Sequence, residues 1–173
     1  MPIDSVNEKL GQAKRALQEM RAEERKTVSN YPDRFSALLS AARSVDYRLR
    51  CEYGDKYRDW RKTWNAQHPY EDGLLKCMHD KRDKDIHARG PGLNAKTKDI
   101  QYGVGGYSDA SGNYQSTGAS SALTGQDVTA RASIQTYDLD VCGTERPATD
   151  ACDEYLKVLE NMVREFAASP ASS

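Results

Sequence analysis

Nowhere do the 173 residues hold an apolar run approaching the ~20 residues needed to cross a bilayer, so no membrane-spanning helix is expected. The opening MPIDSVNEKL lacks the basic-then-apolar order of a secretory signal, which makes the cytoplasm the expected location. Histidine is scarce, with only three, and none of the four cysteines falls in a C-x-x-C pair. A zinc site is therefore not expected, and no other metal or cofactor is implied. Cys142 and Cys152 could meet in space, but a reducing compartment argues against a disulfide between them. No internal repeat is visible. The glycines of GVGGYSDASGNYQSTGASSALTGQ make no dinucleotide fingerprint, because neither a suitable strand before them nor a helix after them is present.

What is there suits a mainly α, soluble domain: 38% hydrophobic and 29% charged residues, too apolar for a disordered chain. The length fits one domain over 1–173. Its net charge of -1 hides an asymmetry, since residues 1–90 carry 19 Lys and Arg against 15 Asp and Glu. A mildly basic half is compatible with nucleic acid and equally with ordinary helix surfaces.

Val6, Leu10, Ala13, Leu17 and Met20 recur at helical spacing and predict a first helix over 4–27. Pro32 suits the first turn of a second, over 33–52, whose apolar face is Phe35, Leu38, Leu39, Ala42, Val45 and Leu49. Gly54 should interrupt it. A third helix, 55–67, carries the stripe Tyr53, Tyr57, Trp60 and Trp64, which reads as a bundle-packing face or as a platform for RNA bases. Pro69 restarts the chain into a fourth helix marked by Leu74, Leu75 and Met78. Alternation in DIQYGVGGYS and VTARASIQTYDLDV predicts a β-hairpin over 96–142 with a long, mobile Gly/Ser-rich tip at 103–125. Helix returns over 148–168, with a broad apolar face from Ala151 to Phe166. The expected fold is a helical bundle of four to five helices, over 4–90 and 148–168, with a β-hairpin inserted before the last helix.

Residues 81–92, KRDKDIHARGPG, hold the candidate chemistry. His87 can exchange a proton near neutral pH. Arg82 offers a planar fork of donors that suits a phosphate, and Asp83 could orient either one. Such a set can cleave RNA without a metal: a base takes the 2′-hydroxyl proton, the oxygen attacks the adjacent phosphorus, and a cation stabilises the growing charge. On a continuous helix, five residues leave Arg82 and His87 about 140° apart. Their convergence needs the helix to bend or end near His87, as Gly90-Pro91-Gly92 would allow; there the helix dipole would favour a protonated imidazole. The plainer reading is a solvated helix end with Asp80–Lys84 and Lys81–Asp85 pairs. Spacing alone does not decide, since Arg61 also precedes His68, with six residues between. His79 fits neither pattern and reads as a core or surface histidine.

The run RDKDIH at 82–87, preceded by AKRALQEM, FSALLSAARSVDYRL, YRDW and LLKCMHDK, resembles the HEPN superfamily of helical ribonucleases and their inactive relatives. The closing CDEYLKVLENMVREF is similar to the last helix of small bacterial members. The likeness covers most of the chain and is weakest over 91–147. It implies a metal-independent endoribonuclease acting on RNA, with His87 as acid/base, Arg82 as phosphate stabiliser and Asp83 as polar support. Lys81, Lys84 and Arg89 become candidate RNA-backbone contacts, with surface solubility as the alternative. The resemblance further implies a homodimer whose two motifs face each other across a two-fold axis. It also implies a toxin or defence role under a nucleotidyltransferase-like antitoxin. The alternatives are a non-catalytic HEPN-like module binding RNA, a nucleotide or a partner protein, and a structural assembly protein whose hairpin makes the contacts.

Overall fold

Apolar residues at three- and four-residue spacing need a partner surface, and here each helix finds one in the others. The computed structural model describes residues 3–24, 26, 29–87, 92–103, 107–108, 114–115 and 129–172, with backbone only at 85–87, 98–103, 107–108, 114–115 and 131–134 and at 129–130. Arg89, Gly90, Pro91 and most of the 103–125 tip lie outside the described residues. Four helices are described: α1 (Asp4–Glu23), α2 (Tyr31–Gln67), α3 (Pro69–His87) and α4 (Ala148–Ala168). A small antiparallel sheet stands between α3 and α4, so the fold is mainly α, as its patterning predicts. Among the described residues no helix is long and apolar enough to cross a membrane.

The second and third expected helices form one element, α2, bent at Gly54. That residue has φ 55° and ψ -125°, a left-handed backbone that glycine adopts without a Cβ penalty. Pro32 sits in the first turn of α2. Its aromatic stripe is packing surface: Tyr57 and Trp64 are buried, and Tyr53, Tyr57 and Trp60 surround Phe166 of α4 with ring centroids 4.8, 5.2 and 5.1 Å away. These rings therefore offer little face to an RNA base. The broad face of α4, including Ala151, Tyr155, Leu159, Met162 and Phe166, is buried against all three other helices.

The hairpin pairs β1 (Leu93–Gly103) with β4 (Thr129–Val141), in a register running from Leu93 opposite Leu139 to Gly103 opposite Thr129. Within the tip, β2 (Tyr107–Ser108) pairs with β3 (Tyr114–Gln115). A further strand, β5 (Thr144–Pro147), was not expected from the sequence; it returns along β4 through the turn Cys142-Gly143, both residues at positive φ, 52° and 84°. Tyr137, Leu139 and Val141 alternate inward on β4 and join the helical core. Tyr31 at the head of α2 stacks on Tyr137 at 4.4 Å and exchanges a 2.8 Å hydrogen bond with Thr149 of α4.

No bridge joins Cys142 to Cys152, as expected, and Cys152 is buried and unpaired. The expectation of reduced cysteines is corrected, because Cys142 forms a disulfide with Cys77 of α3. Cys142 occupies the β4–β5 turn, and that turn lies over α3 at Gly73 and Leu74, which brings it to Cys77. The bridge spans 65 residues and ties the base of the sheet to the helix that ends at His87.

Candidate functional site

Asp46 stands in the apolar run of α2, four residues after Ala42 and three before Leu49, and is only 3% exposed. A buried carboxylate needs partners, and α2 supplies them at helical spacing. Arg50 Nε donates to Asp46 Oδ2 at 2.8 Å, and Arg43 Nη1 lies 3.6 Å from the same oxygen. The other oxygen accepts a 2.6 Å hydrogen bond from the Tyr57 hydroxyl, across the Gly54 bend. Burial, and then the neighbouring Asp46 charge, push the Tyr57 hydroxyl well above the usual tyrosine range.

Packing of α3 on α2 adds His79 and, one turn on, Arg82. Arg43 Nη1 lies 2.7 Å from His79 Nδ1. A guanidinium can only donate, so Nδ1 accepts and the ring proton sits on Nε2. That atom is buried and has no hydrogen-bond partner among the described residues. Desolvation, and then the Arg43 charge, lower the His79 pKa to about 4. The unfolded chain therefore binds a proton below about 6.5 that the folded one refuses. This contribution to stability is present above pH ~6.5 and is lost as the pH falls towards 4. Urea denaturation from pH 7 to 4 should show stability falling by at most about 1.4 kcal/mol per pH unit from this group. His79→Gln should flatten that slope, and an unchanged slope would show that His79 is not its source.

Between the two helices lies a cleft of about 340 Å³, lined by Ser40, Arg43, Ser44, Asp46, Tyr47 and Arg50 from α2 and by Arg82 from α3. Three guanidinium groups thus face one carboxylate. Arg82 Nη1 donates to Asp83 at 3.1 Å, whereas its Nε is buried without a partner among the described residues. A larger recess of about 920 Å³ lies between α1 and α4, where Lys14 pairs with Glu160 and Arg164 donates to the Asn161 amide oxygen. The α2–α3 cleft is the stronger candidate because its donors exceed its acceptors.

The residues singled out from the sequence fare differently. Arg82 lines the cleft and Asp83 orients it. His87 is the last residue of α3, with its side chain outside the described set. The backbone is helical through His87, so its Cα lies about 140° around and about 7.5 Å along the axis from that of Arg82. His87 stands in the last turn of α3, as expected, and residues 88–91, where the chain was expected to turn, lie outside the described residues. Lys81 has only 16% of its side chain exposed and points to Asp140 of β4 at 3.9 Å, whereas Lys84 is exposed. The rival pair is otherwise engaged: Arg61 lies over the Trp64 ring at 4.7 Å, and His68 stacks on the same ring at 4.6 Å.

Arg43, Asp46, Tyr47, Arg50 and His79 were not marked by the sequence as site residues. One signal was present: Asp46 interrupts an apolar helical face and carries arginines three residues before and four after it. Comparison of the chain with protein-family models, with curated proteins and with solved structures finds no match.

Proposed function

We propose that the chain is a HEPN-type, metal-independent endoribonuclease, a homodimeric toxin or defence effector of the cytoplasm, checked by a nucleotidyltransferase-like antitoxin. The observation that carries the ribonuclease reading is Arg82: the arginine of the motif lines an arginine-rich cleft with an unpartnered, buried Nε. A phosphodiester oxygen is an acceptor suited to the guanidinium groups of this cleft. In the proposed step His87 takes the 2′-hydroxyl proton and the 2′-oxygen attacks phosphorus. The 5′-oxygen then leaves, taking up a proton, and Arg82 offsets the charge on the phosphoryl oxygens. The products are a 2′,3′-cyclic phosphate and a 5′-hydroxyl. The homodimer would let Arg82 of one protomer work with His87 of the other, which the 140° separation along one α3 calls for. A cytoplasmic setting would hold Cys77 and Cys142 as thiols.

The test is cleavage of a structured RNA by highly purified protein in excess EDTA, with the product ends identified by mass spectrometry. Cyclic phosphate ends at an undiminished rate are expected. Binding without cleavage would favour the second reading, a non-catalytic module for RNA, a nucleotide or a partner protein. That reading draws support from the same 140° separation, which keeps the motif apart within one protomer.

A further inference from the structure

We infer that the α2–α3 cleft grips one nucleoside monophosphate unit, with its phosphate held between Arg50 and Arg82 and its base laid against Tyr47. The inference deepens the ribonuclease reading by naming how the strand is held, yet it concerns binding and needs no cleavage.

Three observations carry it. First, Asp46 is engaged at both oxygens, with Tyr57 on one and Arg50 on the other and Arg43 3.6 Å away, so it holds the guanidinium groups in place. Arg50 spends only Nε on it, and no hydrogen bond among the described residues engages the Arg50 Nη atoms. Together with Arg82, which lines the same cleft and whose Nε has no partner among the described residues, they leave the cleft with more guanidinium groups than carboxylates. Guanidinium donors in a fork are suited to tetrahedral oxyanions.

Second, Tyr47 is 65% exposed, one of two large hydrophobic side chains so exposed among the described residues, and it lines this same cleft. A bare phosphate has no use for an aromatic wall; a base does, because every base has a face that stacks on such a ring. Third, the volume of about 340 Å³ falls at the lower end of the roughly 300–1,000 Å³ typical of small-ligand sites. That suits one nucleotide unit. The Ser40 and Ser44 hydroxyls on the same wall can serve a ribose, since Ser44 uses only its proton, on the Ser40 carbonyl at 2.8 Å.

The unit could be a free mononucleotide or one residue of an RNA strand, and titration separates the two. Wild-type protein is titrated by calorimetry with nucleoside 3′-monophosphates, inorganic phosphate, uridine, and a 2′-O-methyl hexanucleotide that cannot be cut. The monophosphates should bind at least tenfold more tightly than inorganic phosphate or uridine. A hexanucleotide binding more tightly still identifies the strand as the ligand, and equal affinity identifies the free nucleotide. Tyr47→Ala should weaken monophosphate binding about tenfold and leave inorganic phosphate unchanged. Arg82→Gln should weaken both, and Arg82→Lys serves as the second variant if the first melts early. A protein that binds the hexanucleotide but leaves its ribose counterpart whole keeps this inference and ends the ribonuclease reading. Equal affinity for phosphate and monophosphate, or monophosphate affinity indifferent to Tyr47 and Arg82, would overturn it.

Discussion

His87→Ala should slow RNA cleavage by about 10²–10⁴-fold, the usual contribution of a positioned general acid or base. It should leave the unfolding free energy within about 1 kcal/mol of wild type, as expected at the terminal residue of a helix. The contrast in size makes the experiment decisive. The rate loss corresponds to about 3–5 kcal/mol in the transition state, several times what the fold should register. A parallel Arg82→Lys variant keeps the charge and loses the planar fork. If Arg82 stabilises the phosphoryl oxygens through paired donors, that variant should also fall well below wild type while melting normally. Undiminished cleavage by His87→Ala would remove His87 from the chemistry, and with it the motif on which the resemblance rests.

The helices were legible because their signals are local. Phe35, Leu38, Leu39, Ala42, Val45 and Leu49 announce one buried face, and all six are buried. Gly54 announces a bend, and its positive φ supplies one. The strand β5 was missed because its turn, Cys142-Gly143, puts a non-glycine residue at positive φ, where Asn or Asp would have been the readable choice. The disulfide was missed for a different reason: Cys77 and Cys142 are 65 residues apart, and only the packing of the β4–β5 turn on α3 brings them together. The site shows the same division. Arg82 was found through its neighbours in sequence. Arg43 and His79 stand 36 positions apart, and their contact exists only because α3 lies along α2. Lys81 shows the converse, since a lysine in a charge run reads as exposed until β4 brings Asp140 to it.

The largest effect on stability should come from Asp46→Ala, which is expected to cost about 3 kcal/mol and lower the melting temperature by on the order of 10 °C. The cost is not shared equally among the three partners. Arg50 and Arg43 have 54% and 33% of their side chains exposed, so once released they can turn to water. Tyr57 cannot, because it is fully buried and its hydroxyl would keep only the Met162 sulfur, 3.7 Å away, a weak acceptor. A stranded buried hydroxyl costs about 1–3 kcal/mol, and the vacated carboxylate space adds to that. Asp46→Asn separates the parts. Its amide oxygen can still accept from Tyr57, but its NH₂ would face the donors of Arg50, so an intermediate loss is expected. Tyr57→Phe in the Asp46→Ala background should recover part of the loss, because the stranded group is then gone. Chemical denaturation of the four proteins checks this order, and a loss below 1 kcal/mol for Asp46→Ala would refute it. Because the same carboxylate holds Arg43 and Arg50 at the cleft, Asp46→Ala should also weaken nucleotide binding while the protein is still fully folded. Tyr57→Phe alone, which leaves both arginines tied to Asp46, should weaken binding far less, and that difference separates a carboxylate that organises the cleft from one that only supports the core.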